Sequence, residues 1–241
     1  MNRLWGLLVA LCAGALAASS PFLLSALRGV PAPISPAAIL ALQVLQTLLL
    51  CALAAWSGVR FAPRAGLDAP FLRSIAAGEA RPPAFGSVAI EAAAVGSITA
   101  IAVTAFALLL RSAVPEALSQ PPPVGFWTAA SSAFYGGIVE ETLLRWGLLT
   151  ALVVLLRRFV REAFWPANVL TALVFAALHL PGVALARLPF SAGVIAYVFL
   201  GNGFAGTVFG WVFRRRGLEG AMVAHAAADL WLKAALPALL A

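Results

Sequence analysis

Charge is what this sequence has least of. Asp, Glu, Lys and Arg make up 10% of its 241 residues, against about 25% in an ordinary soluble domain. Lys233 is the only lysine, and there are two histidines and two cysteines. With so few cysteines there is no disulfide framework, and no zinc-ligand spacing exists. Cys12 and Cys51 sit inside apolar runs, where a free cysteine behaves as a small hydrophobe. The scarcity of lysine beside many arginines reads as the codon bias of a GC-rich, bacterial genome, not as chemistry. The missing charge is replaced by apolar residues, which reach 63% with a mean hydropathy of +0.99. Soluble proteins run near 45–50% apolar. Composition therefore excludes a soluble domain and predicts an all-α polytopic membrane protein, a bundle of seven to eight transmembrane helices in one integral membrane domain spanning residues 1–241.

A span needs about 20 mostly apolar residues. Seven candidates occur, near 4–27, 36–57, 88–110, 125–156, 164–180, 191–213 and 218–236. The fourth is too long for one straight crossing. Its Gly136-Gly137 pair predicts a kink or a short lead-in segment, which is where an eighth helix would lie. The head of the chain, Met1-Asn2-Arg3 before Leu4 to Ala18 and Ser19-Ser20, has the pattern of a signal peptide. It also fits an uncleaved first helix running to about Leu27. The segment 60–83 alternates apolar and charged residues loosely, and reads either as a surface-lying amphipathic piece or as an ordinary loop. Pro121-Pro122-Pro123 predicts a stiff turn before the fourth span. Trp146, Trp165, Trp211 and Trp231 fall mostly near predicted span ends, as an interfacial belt would place them. No internal repeat is visible.

The net charge of +7 is not a nucleic-acid footprint, because the basic residues lie in the gaps between spans. Arg3, Arg60, Arg64, Arg73, Arg81, Arg157, Arg158, Arg161, Arg214, Arg215 and Arg216 fall on the side of the N-terminus. Arg28, Arg111, Arg187 and Lys233 fall on the other. That asymmetry predicts a cytoplasmic N-terminus in the cell (inner) membrane, with anionic headgroups of the bilayer as partners. Residues 1–111 would supply the N-terminal spans and 125–236 the core that bears the motifs.

Against this background six ionisable residues stand inside apolar runs. Glu140, Glu141 and Arg145 share the fourth span, His179 ends the fifth, and His225 and Asp229 share the last. A charged group at the bilayer centre costs roughly 2.5–3.5 kcal/mol on insertion scales, so such a cluster marks function by default. Residues on a helix advance about 100° each. Arg145 therefore lies about 40° from Glu141 on the same face and about 140° from Glu140. The acid-first i,i+4 order favours a Glu141–Arg145 ion pair and leaves Glu140 free for proton transfer. His225 and Asp229 are also i,i+4, separated by alanines that permit close approach. Phe175 lies one turn before His179 and is placed to pack beneath the imidazole. Pro181 follows and ends or kinks the helix there. Two His and two Glu might suggest zinc, but no His-Glu-x-x-His helix is present. Activation of water by Glu140 and His179 needs no ion or other cofactor.

Glu140-Glu141-x-x-x-Arg145, Phe175-x-x-x-His179 and His225-x-x-x-Asp229, in that order on separate apolar segments, resemble the hallmark of the CAAX-type prenyl-endopeptidases and bacteriocin-processing intramembrane proteases, the CPBP or Abi family. The resemblance covers about 125–236. It implies a glutamate-type intramembrane endopeptidase acting on a membrane-embedded or membrane-associated peptide or protein. Glu140 would activate a water, His179 would complete the proton handling, and His225 with Asp229 would stabilise the oxyanion. Many relatives carry Asn where this chain has Asp229. An ionised acid is no hydrogen-bond donor, so Asp229 is better suited to orient or charge His225. A bacterial proteome would seldom supply a prenylated substrate, and bacterial relatives also process or confer immunity to secreted peptides. Two rival classes keep the same composition: a non-catalytic membrane partner such as an immunity or scaffold protein, and a proton-relay transporter. The transporter expects inverted repeats, which are not seen.

Overall fold

The structure is a computed structural model that describes residues 3–27, 34–80, 83–119 and 124–240. Arg28 and Arg81 of the charge count, and the Pro121-Pro122-Pro123 turn, lie outside the described residues. Among those residues there is no strand, and the fold is all-helical. In chain order the α-helices are α1 (Arg3–Ala18), α2 (Ser20–Leu27), α3 (Pro36–Ala65), α4 (Pro70–Ala77), α5 (Gly86–Leu109), α6 (Glu116–Ser119), α7 (Phe126–Phe134), α8 (Thr150–Leu156), α9 (Phe164–Ala177), α10 (Leu180–Leu185), α11 (Ala192–Leu230) and α12 (Leu236–Leu240). Between α7 and α8 the backbone widens into two π-helical stretches, Tyr135–Glu140 and Thr142–Leu149, and a third, Trp231–Ala235, joins α11 to α12.

Four helical stretches are long and apolar enough to cross a membrane: Pro36–Ala65, Gly86–Leu109, Phe164–Leu185 and Ala192–Ala235. Only 17% of the apolar window of Pro36–Ala65 is buried inside the protein. Its Leu42, Leu45, Leu49, Leu53 and Trp56 are all more than half exposed. Apolar surface of that extent is not left to water, and in a bilayer it faces lipid. The chain is a membrane protein with transmembrane helices.

The boundaries differ from the sequence expectations in instructive ways. The first span is two helices, broken at Ser19, whose hydroxyl donates to Ala15 O and lies 2.9 Å from Ser131 O. Helix α3 runs eight residues past its expected end and stops at Gly66, which takes the left-handed conformation (φ 65°) that favours glycine at a helix end. Arg157 donates to the carbonyls of Arg64 and Ala65 there, satisfying the groups that a helix end leaves open. Segment 60–83 is thus the end of α3 and a short amphipathic helix, α4, with Leu72 and Ser74 buried. The last two expected spans form one run with a sharp break at Gly217 (φ 82°). Leu218 N donates to Asp68 O, and buried Glu219 accepts from Leu72 N at 2.7 Å. The break is therefore tied to α4.

At Gly136-Gly137, where a kink or a short lead-in segment is expected, the run 126–156 stays helical and widens into the π-helical stretch Tyr135–Glu140 that follows α7. Those glycines let α11 come close. A Cβ on Gly137 would stand 2.8 Å from the Met222 carbonyl. Small residues serve this purpose at helix contacts in membranes. Trp146 is also corrected. It is not interfacial but fully buried, bonded through Nε1 to Ala55 O, because it lies mid-run with its indole over Gly58.

Candidate active site

The three motifs converge between the 126–156 run, α9 and the second part of α11. Arg145 Nε lies 3.3 Å from Glu141 Oε2, and both side chains are at most 1% exposed. This is the pair that the helical arithmetic expects. Arg145 also donates to Gly206 O at 2.9 Å. Its guanidinium lies over the rings of Phe175 (5.1 Å) and Phe209 (5.7 Å), and a cation over an aromatic face is attracted by the ring quadrupole. One hydrogen bond and two ring faces are thereby combined with an ion pair around this buried charge.

The other oxygen of Glu141 reaches across to α11. Its Oε1 accepts from His225 Nδ1 at 2.7 Å. A carboxylate oxygen can only accept, so this contact puts a ring proton on Nδ1, and it turns Nε2 toward the neighbouring space. There Nε2 meets Glu140 Oε2 at 3.6 Å. Phe209 stacks on the His225 ring at 4.5 Å, and Phe175 meets it edge-on at 5.6 Å. Phe175 also packs edge-on against His179 at 4.7 Å, and the His179 ring is held by a 2.8 Å contact from Nδ1 to Phe175 O. Phe175 thus touches both histidines and Arg145 at once.

Asp229 was expected to orient or charge His225, and the structure shows Glu141 as the group that holds its Nδ1, with Asp229 near Nε2. Asp229 Oδ2 pairs instead with Lys233 Nζ at 2.9 Å, while Glu141 holds His225. The i,i+4 spacing permits an Asp229–His225 contact, but the facing helix offers a closer acceptor and the next turn offers Asp229 a cation. The charge count placed Lys233 among the loop residues although the expected last span, 218–236, contains it; the structure holds it in the π-helical stretch Trp231–Ala235 and on the wall of the same cavity as Asp229.

Glu140, His179, His225, Asp229 and Lys233 all line one cavity of about 460 Å³. Tyr135, Gln43, Thr99 and Asn202 add polar groups to its wall, and Phe22 and Leu23 of α2 close one side. Gly136 lies under the cluster. A Cβ there would stand 2.7 Å from Asp229 Oδ2 and 2.9 Å from His225 Nε2. π-Helical turns recur at functional sites, and here one presents Glu140 to the cavity while its neighbour Glu141 is fully buried. A second cavity, of about 430 Å³, borders a neighbouring face of the same two helices. It is lined by Gly137, Ala226, Phe71, Phe85 and other apolar groups, with Glu219 at its edge. Among the described residues no group of three His, Cys, Asp or Glu side chains is spaced to hold a metal ion.

The arrangement gathers a cavity-facing carboxylate, Glu140, two histidines with their Nδ1 atoms engaged, and a buried ion pair behind them, all among apolar helices. Residues 122–231 match the family model described as Rce1-like, type II CAAX prenyl endopeptidase Rce1-like. The match contains all three motifs. The resemblance to the CAAX-type protease family is therefore shown for this part of the chain, and residues 1–121 lie outside it. No curated protein and no solved structure matches the chain.

Proposed function

We propose that this protein is an intramembrane endopeptidase of glutamate type, in which Glu140 activates the water that attacks a peptide carbonyl. The observation that carries the reading is the connected series Arg145–Glu141–His225–Glu140, closed and dry at Arg145 and open to the cavity at Glu140. Arg145 neutralises Glu141. Glu141 fixes the His225 ring, as a carboxylate behind an imidazole does in other hydrolases. Nε2 of His225 then faces the reacting space beside the one carboxylate that its own helix leaves unpaired.

In this mechanism a water between Glu140 and the substrate gives its proton to the carboxylate, and its oxygen adds to the carbonyl carbon. The oxyanion receives an N–H from His225 Nε2, whose positive charge is balanced by Glu141. One such donor in a water-poor site is worth about 10²–10³ in rate. The proton held by Glu140 passes to the departing amine as the C–N bond breaks, with His179 sharing the transfer from the opposite wall. The substrate is a membrane-embedded or membrane-associated peptide or protein. The family description names prenylated CAAX proteins, and a farnesylated peptide ending in a CAAX box is the first probe. The whole chain forms one integral membrane domain of seven spans, with 125–236 as its catalytic core. The asymmetry of its basic loops supports a cytoplasmic N-terminus.

Glu140→Gln tests this directly. We expect it to lower cleavage of the farnesylated peptide by on the order of 10²–10⁴, the usual worth of a positioned general base, with normal accumulation in the membrane. A comparison of membrane and secreted peptides in cells carrying wild type or Glu140→Gln covers substrates without a prenyl group. Precursors that accumulate only with the variant name the substrate. Identical peptide sets with both proteins folded would replace this reading with a non-catalytic membrane partner.

A further inference from the structure

Lys233 is the only lysine in the chain, and it stands in the wall of the catalytic cavity. Its Nζ lies 2.9 Å from Asp229 Oδ2 and 5.2 Å from the centre of the Phe22 ring. The stated mechanism has no use for it.

The charges around it decide what it does. From the 126–156 run come Glu140 on the cavity, Tyr135 beside it, and Glu141 with Arg145 behind. From the turn between α9 and α10 comes His179, and from the last run come His225, Asp229 and Lys233. Helices α2, α3 and α5 contribute Phe22, Leu23, Gln43 and Thr99, none of them charged. Glu141 is engaged on both oxygens, by Arg145 and by His225 Nδ1. Two carboxylates then remain at the cavity, Glu140 and Asp229. Both stand on the Nε2 side of His225. Glu140 Oε2 is 3.6 Å from that nitrogen, and Asp229 Oδ2 and His225 Nε2 crowd the same point above Gly136. Asp229 is thus a rival acceptor for the N–H that the oxyanion needs, and Lys233 is the cation that occupies it.

We infer that Lys233 is a positioning residue of this site: it holds Asp229 in an ion pair of its own and so reserves His225 Nε2 for Glu140 and the reacting carbonyl. The inference rests on the hydrolytic reading above. It also accounts for an acid at position 229, because the acid and its counter-charge one helical turn later together are neutral.

The test uses the full-length protein in detergent micelles or nanodiscs, with the farnesylated CAAX peptide or a precursor found with Glu140→Gln. Lys233→Met frees Asp229 and is expected to lower kcat about tenfold, within the coupling range of neighbouring groups in one network, with KM changed less than twofold. Lys233→Arg, which keeps the charge, is expected to recover most of the rate. So is the double variant Lys233→Met/Asp229→Asn, because a neutral amide needs no counter-charge. Melting curves accompany each variant, and Lys233→Gln replaces Lys233→Met if the latter melts early. An unchanged kcat in Lys233→Met overturns the inference. So does a raised KM that the double variant fails to restore, since Lys233 would then contact an anionic group of the substrate. Wild-type protein that cleaves nothing would remove the hydrolase reading itself, which is distinguishable from wild type and Lys233→Met cleaving alike.

Discussion

The two cavities lie against the same pair of helices, on faces set about 100° apart by successive residues. Gly136 and His225 border one, while Gly137 and Ala226 border the other. Their volumes, about 460 and 430 Å³, are close. What separates them is chemistry. The first gathers Glu140, two histidines and an Asp–Lys pair, whereas the second is hydrocarbon with Glu219 at its rim. Size therefore does not mark the site. A convergent set of polar groups held in place by buried partners does. Neighbouring residues on one helix thus border a polar cavity on one side and an apolar cavity on the other.

The largest effect we expect comes from the support of the polar side. Arg145→Ala leaves Glu141 ionised, fully buried and without its cation, and breaking a buried pair in this way costs about 3–5 kcal/mol. Folded yield and melting temperature in detergent should both drop sharply. Adding Glu141→Gln should recover part of the stability and none of the activity, because His225 then loses its carboxylate. Normal melting of Arg145→Ala would show that the buried pair is not what secures this wall.

The adjacent glycines sharpen the comparison. Gly136→Ala places a methyl against Asp229 Oδ2 and His225 Nε2, which are side-chain atoms that can move aside. We expect cleavage to fall on the order of a hundredfold, the penalty of misplacing reacting groups by about 1 Å, with little change in melting. Gly137→Ala places its methyl against the Met222 carbonyl and the Ala226 methyl. Backbone cannot yield so easily, and overpacking of this kind costs about 1–3 kcal/mol. That variant should melt earlier and still cleave in proportion to the protein that folds. The reverse outcome, with Gly136→Ala unstable and Gly137→Ala stable but inactive, would break the division between the two faces.

What could be read in the sequence divides along a physical line. Interactions within one helix were legible. The Glu141–Arg145 pair follows from an i,i+4 spacing, and so does the packing of Phe175 on His179. Membrane character follows from composition alone. Interactions between helices were not legible, because nothing in the linear pattern says that Glu141 will face His225, 84 residues later. Local spacing offered Asp229 as the partner, and the tertiary contact overrode it. The π-helical turns were equally invisible. An extra residue per turn leaves the hydrophobic pattern almost unchanged, yet it keeps Lys233 at the cavity. The Gly136-Gly137 pair suggested a kink or a lead-in segment, and the close approach of the facing helix that it also permits was not foreseen, because close approach and bending call on the same residue. Trp146 was misread as interfacial because aromatic residues serve both cores and interfaces, and only burial distinguishes them.

The smallest effect we expect is at the rim of the apolar cavity. Glu219 accepts from Leu72 N in the first turn of α4, where the residue preceding the helix, Ala69, supplies no side-chain cap. It does from a distant helix what an N-cap side chain does locally, and it ties α4 to the break at Gly217. Glu219→Ala leaves that N–H without its acceptor, at a cost of about 1 kcal/mol as for loss of an N-cap, or roughly 2–4 °C in melting temperature for a chain of this size. Glu219→Gln keeps an acceptor oxygen and should melt near wild type. Both should cleave normally, because Glu219 is not among the groups lining the polar cavity. If Glu219→Ala instead melted normally and lost cleavage, the apolar cavity would belong to the working site, and the two faces of this helix pair would have to be treated as one.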